Sequence, residues 1–261
     1  MRLRGRTGKE IGSFSDWERY GKPAKASHWV EGRSAWEMAR EWTSGQGEQR
    51  ALALLGQRPE LTDVAFAKGT VEAQTKFDRY PGGPRNHDLL IEATAGGDEP
   101  LVVSVEGKAD EPFGLPLAEH CRRAEAAAEA EGRKTNTPRR VSDLTNLFFG
   151  TDMEKTPELQ GLGYQLLSAL AGTLAEAKKA KAPRAVLLVH EFRTAKTDPA
   201  LREANANDLD HLLGLLGVPI DPERDPSAWI TGPKDIEGDG NLMGTGTKVH
   251  FAKLVTDRTA K

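Results

Sequence analysis

The sequence predicts an α/β protein, a central sheet covered by helices, and three observations carry that expectation. Two apolar stretches, residues 86–91 and 101–108, are separated by Thr94-Ala-Gly-Gly-Asp-Glu-Pro100, a segment rich in turn formers, so they are expected to form an antiparallel hairpin. Apolar residues from Gly163 to about Lys181 recur with helical periodicity, and the run Ala185-Val-Leu-Leu-Val-His-Glu191 that follows reads as a buried strand. Finally, 261 residues, 38% of them hydrophobic and none in a low-complexity tract, suffice to bury one full core. A second independent domain is not expected. The division predicted is a basic lead, residues 1–27, and one domain with a C-terminal extension, residues 28–261.

The elements follow in order. After the Gly-containing lead come a helix over 34–43 and a second short helix over 49–56 that carries the chain to the sheet. Residues 61–67 and 71–77 add a strand or two before the turn Pro81-Gly-Gly-Pro84 and the hairpin. Ala, Glu and Arg content makes 115–131 helical, with Gly132 stopping it, and 144–149 forms a short helical turn. Beyond the strand containing His190, residues 198–216 read as a helix ending at Gly217. Trp229 and Ile230 begin closing strands that include 247–255.

Within the hairpin, period-two alternation puts Val102, Ser104, Glu106 and Lys108 on one face and Leu101, Val103 and Val105 on the other. The turn brings Asp88 near Glu106 and Lys108. Two carboxylates suit a hard cation, Mg²⁺ or Mn²⁺, which wants oxygen ligands and completes its shell with water and phosphate oxygens. A lysine beside the metal can orient or deprotonate an attacking water and offset the charge that builds in a phosphoryl transition state. The bland alternative is an ordinary ion pair on a solvated hairpin, contributing about 0 to 1 kcal/mol. Against it stand the apolar neighbours on both strands, which place the hairpin centrally, where unpaired charges are costly.

An aspartate at a strand start followed by Glu-x-Lys on the next strand resembles the PD-(D/E)XK nuclease superfamily, and the matching residues are Asp88, Glu106 and Lys108. The proline that precedes the aspartate in that pattern is absent: His87 stands there, and Pro84 lies further back. Hairpin, helix, strand is also the superfamily's core order. Some exonuclease-type members carry a glutamine at the start of that helix and a tyrosine four residues on. Gln165 is the candidate here, although Ala169 takes the tyrosine position and Gln160 with Tyr164 has the spacing instead. More particularly, residues 28–42, 105–114 and 164–167 are similar to an uncharacterised bacterial family of nuclease-like proteins, over roughly residues 28–195. The resemblance implies a restriction-endonuclease-like mixed central sheet flanked by helices and a metal-dependent nuclease. Asp88 and Glu106 would bind Mg²⁺ or Mn²⁺, Lys108 would position the water, and Gln165 would support them.

Glu37 has two readings. Many superfamily members place a glutamate on the helix before the hairpin, which makes Glu37 a further metal ligand. Ser34-x-x-Glu37 is also a capping box, with Ser34 and Glu37 exchanging backbone hydrogen bonds.

Net charge is −3, so the chain as a whole does not advertise nucleic-acid binding, and any such surface must be local. The candidate patches are Arg2, Arg4, Arg6 and Lys9, and Arg133, Lys134, Arg139 and Arg140 in a loop leading into Val141; a solvated flexible segment is the alternative for each. A lone cysteine excludes an intrachain disulfide and a multi-cysteine zinc site. A His120–Cys121 dyad is disfavoured because adjacent helical residues point about 100° apart. Gly238 to Lys248 lacks the order of a phosphate loop and precedes a strand instead of a helix. His190 and Glu191 end a strand near the site and either support it or simply cap the strand. With neither a signal peptide nor an apolar run long enough to span a bilayer, the expected compartment is the bacterial cytoplasm.

The expected function is hydrolysis of phosphodiester bonds, in DNA in preference to RNA, in phage defence or restriction, with a homo-oligomer allowed and no membrane partner. The alternative is a non-catalytic nucleic-acid- or partner-binding module that kept the fold, for which Gly107 between Glu106 and Lys108 and the acidic net charge are the arguments.

Overall fold

The computed structural model describes residues 1–23 and 25–259, so the last two residues of the predicted 28–261 unit lie outside it. An eight-stranded mixed sheet forms the middle layer. Its strands are β1 (Arg2–Gly5), β2 (Glu10–Ile11), β3 (Ala65–Thr75), β4 (Arg85–Ala95), β5 (Glu99–Lys108), β6 (Arg184–Arg193), β7 (Ala228–Ile236) and β8 (Thr247–Asp257), in spatial order β2-β1-β3-β4-β5-β6-β8-β7. The helices are α1 (Phe14–Tyr20), α2 (Ser34–Thr43), α3 (Gln46–Leu55), α4 (Leu117–Ala130), α5 (Thr137–Phe149), α6 (Tyr164–Ala180) and α7 (Pro199–Leu215). Among the described residues no helix is long and apolar enough to cross a membrane.

The hairpin is the centre of the sheet. β4 and β5 pair antiparallel, β5 and β6 parallel, and α4, α5 and α6 make the crossover that a parallel pair requires. Val103 and Val105 of β5 enter a core with Trp17, Met38, Trp42, Leu54 and Leu55, so α1, α2 and α3 cover that face. Val102 packs with Ala177 and Ala185 on the face covered by α6. Cys121, Leu144 and Leu212 extend that second layer across α4, α5 and α7. Every residue of β5 from Leu101 to Lys108 is buried, as a strand with helices on both sides must be.

Two expectations are corrected and one is narrowed. The basic lead is structured: β1 pairs parallel with β3, and α1 buries Trp17 against the first core. Its place in the sheet comes from a partner strand more than sixty residues away, which no local pattern announces. Of the strand or two expected over 61–67 and 71–77, the structure forms one, β3, which runs through Gly69. A Cβ there would lie 2.7 Å from Leu3 Cδ2, so the glycine admits the close approach of β1. Last, Arg139 and Arg140 lie in the first turns of α5, not in a loop. That helix starts at Thr137-Pro138, where proline is tolerated, and ends at Gly150 with φ +68°.

Candidate functional site

The site lies where β4 and β5 part. Their ladder runs from Ala95↔Glu99 to Leu89↔Val105 and stops. Beyond it β4 continues against β3 to Arg85↔Thr75, while β5 continues against β6 to Lys108↔Glu191. Asp88 and Glu106 are the next two positions in the interrupted register, one on each side of the fork. Asp88 Oδ2 accepts the backbone N–H of Gly107 at 2.7 Å, so a side chain satisfies a donor that the ladder has released.

Both strands also change face here. Val71 and Leu89 belong to the α2–α3 core. His87 instead turns to α6: its ring lies 2.6 Å from Ser104 Oγ and 3.1 Å from Thr75 Oγ1 and presses on Gly172, where a Cβ would come within 2.8 Å of it. Residues two apart on a regular strand share a face, so the chain rolls between them. Glu72 marks the roll, with φ +52°, a conformation that costs a non-glycine residue of the order of 1 to 3 kcal/mol. It lies between the pairs Val71↔Leu89 and Ala73↔His87, opposite Asp88.

Asp88, Glu106, Lys108, Gln165, Glu72 and Arg85 line one cavity of about 410 Å³, with Lys25, His28 and Arg33 from the segment before and into α2. Glu106 is 5% exposed and both its oxygens are engaged: Arg85 donates to Oε2, and Lys108 Nζ donates to Oε1 at 3.0 Å. Lys108 Nζ also donates to Gln165 Oε1 at 2.7 Å and sits 5.2 Å from the Phe113 ring centroid. Gln165 is therefore the glutamine at the site. Gln160 is exposed in a short 3₁₀ turn before α6.

The charges do not balance evenly. Burial pushes Glu106 up, but Lys108 and Arg85 outweigh it and hold the carboxyl below its usual value. Burial also opposes the charge on Lys108, yet Glu106, Glu111 and Asp88 together raise it. For Asp88 burial and then the negative charge of Glu106 prevail, and the carboxyl is raised well above its usual value. Glu72, pushed up by burial with Glu106 adding to it, reaches about 7. For two of the three carboxyls burial thus outweighs the nearby cation, Lys108 for Asp88 and Arg6 for Glu72. Among the described residues no group of three or more His, Cys, Asp and Glu side chains converges to hold a metal unaided. A Mg²⁺-type site asks for less, one or two carboxylates with water and substrate oxygens, and Asp88 with Glu106 fits that donor set.

Other expectations end elsewhere. Glu37 does not reach the cavity, and neither of its readings holds: the N-cap of α2 is Arg33, with no side-chain cap bond, and Ser34 faces Glu111. Glu37 is buried and does not line the cavity; its Oε1 accepts from Gly32 N at 3.1 Å and its Oε2 lies 3.7 Å from Arg258 Nε. His190 is buried among Trp42 and Thr256 and pushed down to about 3 by that burial, hence neutral. Glu191 pairs with Lys253 at 2.7 Å and with Arg193 at 2.8 Å. The His120 ring stacks on Tyr164 at a centroid distance of 3.9 Å, and burial pushes Cys121 up to about 11, so neither forms a thiolate dyad. The Gly238 loop enters β8 at the opposite end of the sheet from Lys108, since β8 runs parallel to β6 and β5. The cations lining the cavity beside Lys108 are Lys25, Arg33 and Arg85; of the two predicted basic patches, Arg6 acts on Glu72 and Arg140 lines an adjoining cavity.

Reading this chain for Glu72 or Arg85 would have required the β3–β4 register; the one local signal is that Arg85 stands three residues before Asp88. The fold and the site define an α/β protein with a buried acid–lysine–glutamine cluster at a fork in its sheet. A family model described as a domain of unknown function, DUF6946, matches residues 10–237, which include every residue of the cluster, and the chain belongs to that family. No curated protein and no solved structure matches it.

Proposed function

We propose that this chain is a metal-dependent phosphodiesterase of the PD-(D/E)XK, restriction-endonuclease-like kind, acting on nucleic acid, DNA in preference to RNA. The observation that carries the proposal is the joint placement of Asp88, Glu106, Lys108 and Gln165 in one cavity at the end of the β4–β5 ladder. Asp88 and Glu106 would hold a Mg²⁺ or Mn²⁺ ion, which supplies Lewis-acid polarisation of a phosphoryl oxygen and a lowered pKa for bound water. Lys108, fixed by Glu106 and Gln165, holds a positive charge at a set position, so it can orient the attacking water and offset negative charge on the phosphorus centre without reorganising. Arg85 brings a second cation to the same carboxylate, and Lys25 and Arg33 add positive groups for the flanking backbone. These local cations offset an overall charge of −3 that would otherwise repel a polyanion.

One observation favours a second reading. Both oxygens of Glu106 are engaged by Arg85 and Lys108, so the cluster closes as an ion-pair network without a metal, as a non-catalytic binding module would have it. Calorimetric titration of Mn²⁺ into wild type and Asp88→Ala, with a plasmid-nicking assay on both, separates the two. The phosphodiesterase reading expects Mn²⁺ binding and nicking by wild type and neither by the variant. Absence of both from wild type at millimolar Mn²⁺ would make the binding module the better account.

A further inference from the structure

A second cavity of about 450 Å³ adjoins the first and shares Arg85, Asn86 and Gln165 with it. Its other walls differ in character. Tyr80, His120, Tyr164 and Arg140 line it, with the exposed Lys76 at its edge. The His120 and Tyr164 rings are stacked, nearly parallel at 14°. Arg140 is held by Asp78, Nε to Oδ2 at 2.5 Å, and its guanidinium stands 5.8 Å from the Tyr80 ring centroid. Tyr80 is fixed through its edge, since its hydroxyl donates to Asp143, and its ring is half-buried. Burial, with Arg140 adding to it, lowers the pKa of His120, so the ring is neutral near pH 7 and acts as a hydrogen-bonding plane. Arg85 spans the two cavities: Nη2 donates to Glu106, and Nη1 donates to Ser168 Oγ at 3.1 Å.

Pre-fixed aromatic planes beside guanidinium groups are what a flat heterocycle stacks on, and the volume is within the range of small-molecule pockets, about 300 to 1,000 Å³. A base reaches such a pocket only when it is unpaired, because a base within a duplex shows its edges and not its faces. We propose that this cavity is a base-binding subsite for the nucleotide next to the scissile phosphate of an unpaired nucleic-acid strand, an inference that rests on the phosphodiesterase reading. Arg85 then marks the boundary between the phosphate under attack and the neighbouring nucleoside.

The test uses the full chain and two probes. Binding of a short fluorescein-labelled oligothymidylate is followed by anisotropy in EDTA, which makes it independent of cleavage. The turnover of bis(p-nitrophenyl) phosphate with Mn²⁺, read at saturating ester, reports the metal centre, because saturation removes what its aryl rings add to binding. Stacking on one aromatic ring is worth enough that Tyr80→Ala should weaken oligothymidylate binding about tenfold. Tyr80→Phe, which keeps the ring, should bind as wild type does. His120→Ala, which also removes a ring from the lining, should behave like Tyr80→Ala, and all three should hydrolyse the small ester at the wild-type rate, which also shows that they are folded. Unchanged binding in both Tyr80→Ala and His120→Ala, or binding of a labelled duplex as tight as that of the single strand, overturns the subsite. If wild type hydrolyses neither the ester nor DNA while the Tyr80 and His120 effects on binding persist, the phosphodiesterase reading has failed and base recognition by this cavity stands. Hydrolysis of the ester with no effect of either variant on binding is the converse.

Discussion

Asp88 and Gly107 are joined across the fork by a 2.7 Å hydrogen bond from the glycine amide to the carboxylate, which takes over where the backbone ladder ends at Leu89 and Val105. Gly107 has a packing reason to be glycine. A Cβ there would lie 2.7 Å from Met38 Cγ and 3.5 Å from Asp88 Oδ2, so the small residue lets α2 close on the strand, and it counts no longer as an argument against catalysis. Asp88→Ala leaves the Gly107 amide without its acceptor and should lose about 1 to 3 kcal/mol of stability. Asp88→Asn keeps an acceptor oxygen and should lose less, and under the phosphodiesterase reading both variants should lose Mn²⁺ binding. Urea unfolding of the two, read beside calorimetry, checks the division; equal stabilities would show that the amide finds another partner.

Glu72 gives a pH dependence of defined sign. Its carboxyl is raised from 4.5 to about 7 in the fold, chiefly by burial, so between those values the folded state binds more protons than the unfolded one. Stability contributed by this group is therefore present below about pH 4.5 and is lost as pH rises through about 7, by up to about 3 kcal/mol. Glu72→Gln should remove that slope, leaving wild type and variant similar near pH 5 and the variant more stable near pH 8. Millimolar Mn²⁺ should restore part of what wild type loses at the higher pH. Thermal unfolding at the two pH values, with and without the ion, is sufficient, and a wild-type curve no steeper than that of the variant would rule out the raised carboxyl.

What could be read from the chain divides according to range. Glu106 and Lys108 were legible because strand alternation is local: two positions apart on an apolar run, they had to share a face. Asp88 followed from the turn formers at 94–100, and Gln165 from the start of an apolar helix. The ambiguity with Gln160 arose because spacing to a tyrosine can be counted along the sequence, whereas facing Lys108 cannot. Glu37 was misread for the same reason in reverse, since Ser-x-x-Glu is a capping motif only when the serine precedes the first turn, and Ser34 lies within it. Glu72 could not be seen at all. Its approach to Asp88 depends on the β3–β4 register and on a left-handed φ that no Glu-Ala-Gln context suggests.

Glu37 should prove structural. Glu37→Gln retains an oxygen for Gly32 N and removes only the charge facing Arg258, 3.7 Å away, so it should leave Mn²⁺ affinity unchanged. Glu37→Ala strips the Gly32 amide of its acceptor in a buried setting and should cost about 1 to 3 kcal/mol, again with no effect on the ion. Calorimetry decides the point. A severalfold loss of Mn²⁺ affinity in Glu37→Gln would return this residue to the site.

Lys108 separates holding an ion from using it. Its ammonium bonds one oxygen of Glu106 at 3.0 Å and Gln165 Oε1 at 2.7 Å, so it competes for a carboxylate that a divalent ion also needs. Lys108→Ala frees Glu106 Oε1 and removes a positive charge from the ion's surroundings without removing an oxygen donor. Mn²⁺ affinity should therefore survive or rise slightly. Cleavage should fall by roughly a hundredfold or more, the scale for loss of one preorganised electrostatic group. Lys108→Met, which preserves much of the stem that packs near Phe113, should show the same loss of cleavage with a smaller loss of stability, because less buried volume is vacated. Asp88→Ala must lose ion binding and cleavage together. Parallel titrations and nicking assays on the three variants resolve these outcomes, and a Lys108→Ala variant that nicks DNA at the wild-type rate would exclude the lysine from the chemistry.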